Sequence, residues 1–84
     1  MELINIIKAE YLENYKILLE FNNGVSGIVD FQPYLEGEIF KPLKDTKFFK
    51  NFKLDSWTLY WDNGADFAPE FLYNEIIKQE KNVG

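Results

Sequence analysis

Asp62, Asp66 and Glu70 crowd around the Asn63-Gly64 pair near the end of this 84-residue chain. Three carboxylates around one loop are the donors that Mg²⁺ and Ca²⁺ take, so a divalent-metal or small-ligand site is the first chemistry to weigh. Their spacing does not follow a calcium loop, which alternates oxygen ligands and ends in a glutamate at its twelfth position. A structural account covers all three: Asp62 in a turn, Asp66 at the start of a helix, Glu70 against the helix dipole. Asp30 and Asp66 would serve as the acid and base of a hydrolase if the chain brought them together. No nucleophile or oxyanion-stabilising group accompanies either. No catalytic residue, cofactor-binding residue or metal ligand is assigned.

The missing residue types restrict the chemistry further. The chain has no His, no Cys and no Arg. Imidazole bases, thiolate nucleophiles, the usual zinc ligand sets and disulfides are therefore excluded. Nine Lys against fourteen acidic residues leave a net charge of −5. With no guanidinium to grip phosphate, direct nucleic-acid binding is disfavoured. The one basic strip, Lys41, Lys44, Lys47, Lys50 and Lys53, is interleaved with Phe40, Phe48, Phe49 and Phe52. Such a run could meet an acidic partner or a phosphate backbone, but it is more often the solvated side of a helix and its flanks. Residues 1–5 lack the basic and apolar regions of a secretory signal, and no apolar run approaches a membrane span. The expectation is a cytoplasmic protein that does not meet a membrane.

The elements that position these residues are announced by a phrase used twice. Phe21-Asn22-Asn23-Gly24 leads on to Asp30-Phe31-Gln32-Pro33, and Trp61-Asp62-Asn63-Gly64 leads to Asp66-Phe67-Ala68-Pro69. Gly tolerates positive φ, Asn and Asp satisfy turn amides, and Pro ends one element or starts another. Before the first copy, Tyr15, Ile17, Leu19 and Phe21 alternate with Lys16, Leu18 and Glu20. This predicts a strand joined to an earlier one around Glu13-Asn14 and, through Asn23-Gly24, to a third in which Val25, Gly27, Val29 and Phe31 share a face. Tyr34 to Pro42 reads as a crossing segment with Gly37 as its pivot. Asp45 is placed to cap a short helix near 45–50 that buries Phe48 and Phe52. Another hairpin, with Asp55-Ser56 at its turn, would set Trp57, Leu59 and Trp61 opposite Thr58 and Tyr60. Pro69, Leu72, Tyr73, Ile76 and Ile77 match a helical stripe, with Pro69 at the first helical position, Glu70 in the first turn, and Lys78 and Lys81 at the other end.

The fold class that follows is α+β in a single domain over residues 1–84. Hairpins build a small, mainly antiparallel sheet, a short helix sits near 45–50, and a C-terminal amphipathic helix packs on the sheet. The core must be built largely from rings, since 18% of the residues are aromatic. Tyr34, Phe40, Phe71 and Tyr73 exceed what so small a core can take. Phe71 lies off the helical stripe, so it is the expected anchor for a partner, with Tyr34 as a further candidate contact, unless the crossing segment folds over it.

The closing phrase Trp61-Asp62-Asn63-Gly64-Ala65-Asp66-Phe67-Ala68-Pro69-Glu70-Phe71-Leu72-Tyr73, with the aromatic-Asn-Gly turn and Val29-Asp30-Phe31 before Pro33, resembles the bacterial domain of unknown function family 2442. The resemblance runs from about Tyr15 to Tyr73. It implies a compact α+β fold, no established activity, cofactor or catalytic residue, and a partner-binding role. Some such proteins continue into a helix-turn-helix, and others pair with a neighbouring gene in a toxin–antitoxin-like arrangement. Ending at Gly84, this chain is expected to lack a DNA-binding half. The resulting expectation is a non-enzymatic interaction module that binds a protein partner or itself. The alternative is a small-ligand or divalent-metal domain using Asp62, Asp66 and Glu70.

Overall fold

In the computed structural model the described residues are 3–81, with only the backbone of Glu80 and Lys81 included; the role expected of the Lys81 side chain lies outside them. Strand β1 (Ile6–Glu13) turns into β2 (Lys16–Phe21) and then β3 (Ser26–Asp30) to form an antiparallel sheet in the order β1-β2-β3. The chain crosses through two 3₁₀ turns, Gln32–Tyr34 and Lys41–Lys44, into the single-turn helix α1 (Thr46–Phe49). Asp45 caps α1, its carboxylate accepting from the Lys47 amide at 3.0 Å. A small second sheet pairs β4 (Lys53–Leu54) with β5 (Leu59–Tyr60), and α2 (Pro69–Lys81) completes the fold. The α+β expectation holds. Among the described residues no helix is long and apolar enough to cross a membrane.

One face of the large sheet carries the core. Ile17, Leu19, Phe21 and Val29 are buried there, with Phe31 just beyond β3, and Gly27 lies beneath α2. A Cβ on Gly27 would stand 2.7 Å from Cγ2 of Ile76, so the absent side chain sets how closely helix and sheet approach. The crossing segment pivots as expected: Gly37 has φ +91°, and its carbonyl accepts from the amides of Phe40 and Lys41. Leu35 and Leu43 are buried at either side of the pivot and pin the segment to the core.

The two copies of the phrase have the same backbone. The Gly24 amide donates to the Phe21 carbonyl at 3.0 Å, and the Phe21 amide to the Val25 carbonyl at 2.8 Å; the corresponding bonds of Gly64 to Trp61 and Trp61 to Ala65 are 3.0 and 2.9 Å. Gly24 and Gly64 have φ +89° and +92°, whereas the residues preceding them keep negative φ. This is a turn closed by a left-handed glycine rather than the two-residue primed turn that Asn-Gly suggests. Each Asn side chain works at both ends. Its oxygen accepts from the amide two residues on, at 3.1 Å in both copies, while its NH₂ reaches a distant element: Asn23 donates to the Tyr73 hydroxyl, and Asn63 to the Ile39 carbonyl. Aspartate could do only the first of these. Pro33 starts a 3₁₀ turn and Pro69 starts α2, and the intervening Phe31 and Phe67 meet edge to face at 5.0 Å.

Three local expectations change. The β1–β2 turn falls on Asn14-Tyr15, with φ +47° and +68°, so Tyr15 belongs to the turn and not to the strand. A β-turn with two positive φ values normally recruits glycine. Here the Tyr15 ring packs against Phe49 at 5.3 Å, and its hydroxyl donates to the Lys44 carbonyl, so tertiary contacts hold the unfavourable backbone. In α1 it is Phe49, not Phe48 or Phe52, that is fully buried. One helical turn is too short for i, i+4 spacing to choose the face, and Phe49 is selected by the rings of Tyr11, Tyr15, Phe31 and Trp61 around it. Trp57 is exposed and Thr58 buried, the reverse of the alternating pattern. The Asp55 carboxylate takes both their amides in a turn, and the Thr58 hydroxyl donates to the Phe67 carbonyl at 2.7 Å. Leu59 and Trp61 are buried as expected.

Two glycine substitutions should act by different physics. Gly64→Val meets no atom within 4 Å yet forces a side chain to φ +92°, so denaturant melts should show a loss above ~1 kcal/mol. Gly27→Ala should destabilise by displacing α2, and combined with Ile76→Ala, which removes the Cγ2, Cγ1 and Cδ1 atoms the new methyl meets, it should cost less than the sum of the two single losses.

Candidate functional site

Among the described residues no element forms a layer over the outer face of the large sheet. Its rows follow from the register: Leu18 stands between Glu10 and Ile28, Glu20 between Lys8 and Ser26, and Lys16 between Glu13 and Asp30. Leu18 is 38% exposed and Ile28 44%. At the β1 end a register irregularity between Ile6 and Lys8 turns the strand and leaves Ile7 47% exposed. Leu54 of β4 adds a fourth apolar side chain. Ile7, Leu18 and Leu54 line a groove of about 390 Å³ rimmed by Lys8, Glu10 and Glu20, and Ile28 lies beside it as the β3 neighbour of Leu18. Contiguous apolar groups with a charged rim are the anatomy of a contact surface, whereas scattered exposed leucines would be ordinary.

The edges of this sheet are partly closed. The Ile6 amide donates to the Trp57 carbonyl at 3.1 Å at the β1 edge, and the Gln79 side chain of α2 donates to the Ile28 carbonyl at 3.0 Å at the β3 edge. Such plugs discourage another strand from adding there, which leaves the face, and not the edge, as the open surface.

Phe71 and Tyr34, singled out from the sequence, do come together, their rings meeting edge to face at 5.0 Å. Phe71 also lies parallel to Phe67, which stacks on Phe40 from the crossing segment. The segment therefore folds around Phe71 and leaves 37% of it exposed. Below the rings the Tyr34 hydroxyl donates to Oε1 of Glu75, and Lys78 Nζ approaches Oε2 at 2.9 Å. The tyrosine hydrogen bond, then Lys78, holds the Glu75 carboxyl below its usual range. The same bond, followed by burial, raises the Tyr34 phenol.

The acidic residues of the second phrase are not gathered. Among the described residues no three acidic side chains converge in a way that could hold a metal ion. Asp62 pairs with Lys53 at 2.8 Å, both well exposed. The backbone of Asp66 bridges to Tyr60, and Glu70 lies exposed in the first turn of α2. Asp30 accepts from the Gln32 amide at 3.0 Å and so shapes the first 3₁₀ turn. The lysine strip from Lys41 to Lys53 is exposed along its whole length.

The sequence carries one signal of the outer face. Leu18 stood between Lys16 and Glu20 on the polar side of an alternating strand, and Ile28 stood off the buried set of β3. A large apolar residue at the centre of a polar face was the available signal.

A family model described as "Protein of unknown function (DUF2442)" matches residues 6–78. No curated protein and no solved structure matches the chain.

The Tyr34–Glu75 bond has a pH signature. Glu75 has its pKa lowered by folding, so its contribution is present above the ordinary value of 4.5 and fades as pH falls through the folded value. Tyr34 has its pKa raised, so its contribution is present below 10.0 and fades as pH rises through the folded value. Tyr34→Phe should cost about 1–2 kcal/mol in urea melts at pH 7, with a smaller difference from the parent chain at pH 3.

Proposed function

Because the chain belongs to the DUF2442 family, whose description assigns no activity, we propose from its geometry that it is a non-enzymatic protein-interaction module of the bacterial cytoplasm. The observation that carries this reading is the uncovered outer face of the sheet, where Ile7, Leu18 and Leu54 line an apolar groove with charges of both signs at its rim and Ile28 lies exposed beside Leu18. A domain of this size gains little by leaving its central strand open, since covering Leu18 and Ile28 would contribute roughly 1 kcal/mol each. The Phe71–Tyr34 patch is a second contact surface in the same reading, smaller and already half enclosed by its neighbours. The missing His, Cys and Arg fit a role that depends on surface complementarity rather than on bond-making. The resemblance to members encoded in two-gene, toxin–antitoxin-like pairs makes an adjacent gene product the first foreign candidate.

The test is to produce a tagged copy at native level in its own host beside an untagged copy, and to identify what is retained stoichiometrically. A protein, foreign or identical to the bait, should be retained by the parent chain and lost with Leu18→Lys/Ile28→Lys. Phe71→Ser, tested in parallel, assigns any residual binding to the second surface. A bait that holds no protein under these conditions and also stays monomeric at about 1 mM would refute the reading.

A further inference from the structure

We propose that the outer face is closed by a second copy of the same chain, packed sheet against sheet about a two-fold axis crossing β2 over Leu18. This deepens the interaction reading and rests on it. The argument lies in the order of charges along β2, whose outward residues are Lys16, Leu18 and Glu20. An in-plane two-fold axis perpendicular to the strand reverses the partner's β2. Leu18 then lies on the partner's Leu18, and Lys16 of each copy lies across from the partner's Glu20. The adjoining strand repeats the pattern. Lys8 sits beside Glu20 and Glu13 beside Lys16, so the same rotation sets Lys8 across from the partner's Glu13. Four opposite-charge pairs flank a central row in which Leu18 and Ile28 meet their own copies, and Glu10 on Glu10 at the β1 end is the one like-charge contact against them. The other isologous arrangement, with its axis along the strand, stacks Lys16 on Lys16 and Glu20 on Glu20, and is rejected by repulsion.

Packed sheets lie about 10 Å apart and cross at about 30°, which moves the ends of a five-residue strand sideways by only about 3–4 Å, within the reach of a lysine. A foreign partner would need charges matching this face but would impose no antisymmetry on it. A change of sign about the central leucine of β2, with Lys8 and Glu13 of β1 carrying the opposite signs beside its two ends, is what a self-complementary surface requires. The size of the face sets the strength. Three short strands span roughly 300 Å² in projection, well under the ~800 Å² per partner of stable complexes, so the dimer is weak and concentration-dependent.

Sedimentation equilibrium of the full chain from about 10 µM to 1 mM tests this. The expected result is a monomer–dimer equilibrium with a dissociation constant of roughly 10–500 µM. Lys16→Glu and Glu20→Lys should each weaken it about tenfold or more, and the double swap Lys16→Glu/Glu20→Lys should return it to within about threefold of the parent. Melting temperatures confirm that each variant folds, and Lys8→Glu with Glu13→Lys provides a second pair if one does not. A chain that stays monomeric at 1 mM, or a dimer indifferent to the swaps, overturns the proposal. A monomeric chain whose outer face captures a foreign protein overturns the second copy but leaves the interaction reading standing, whereas a monomer that captures nothing overturns both.

Discussion

The structure depends on where the indole of Trp61 is anchored. Its Nε1 donates to the Phe49 carbonyl at 2.7 Å inside the core, and its rings touch Phe31, Phe49, Phe52 and Phe67. A buried indole N–H without a partner is costly, so this bond fixes the ring and brings α1 to the second hairpin. Phe31 carries the contact into the end of the large sheet, and Phe67 carries it to the start of α2. Four segments distant in sequence thus meet at one tryptophan. The large, stiff rings supply burial that a chain this short could not obtain from aliphatic side chains alone.

The repeated Asn-Gly turn is the means by which segments reach that centre in register. In both copies glycine supplies the left-handed residue, and the Asn oxygen closes the turn while its NH₂ ties the turn to another element. The first copy clips the β2–β3 hairpin to Tyr73 of α2, whose ring packs edge to face on Phe21. The second clips the last hairpin to the crossing segment at Ile39. A motif that looks purely local is therefore also a long-range fastener, and its two buried phenylalanines are what its copies bring into contact.

The cost of this economy falls on the sheet. Helix, crossing segment and second hairpin all gather around the aromatic centre, so a sheet of three strands is clothed on one face only. Leu18 and Ile28 remain open at the middle of the other. Asp30, Asp45, Asp55 and Asp62 are meanwhile taken up in turns, a helix cap and an exposed ion pair.

Much of this was legible along the chain. Alternation in β2 and β3, the Asp45 cap, Gly37 as a pivot and the Pro69 start of α2 are local signals, because each depends on φ preference, capping or a two- or 3.6-residue period within a few residues. The misplaced residues share a cause. Tyr15 in a turn, Phe49 in place of Phe48, and Thr58 inside with Trp57 outside were decided by partners far away in sequence, namely the Lys44 carbonyl, the Trp61 indole and the Phe67 carbonyl. Of the candidate surface, Phe71 and Tyr34 could be named from an excess of aromatics over core volume, but the open groove could not. By itself the sequence determined the elements, the turns and the exclusion of most catalytic chemistry, since these follow from residue types and short-range periodicity. Only the tertiary structure decided that none of the described elements covers the opposite face of the sheet. Leu18 and Leu19 are the same residue type on opposite sides of one strand, and burial of one and exposure of the other is a property of the packing around them.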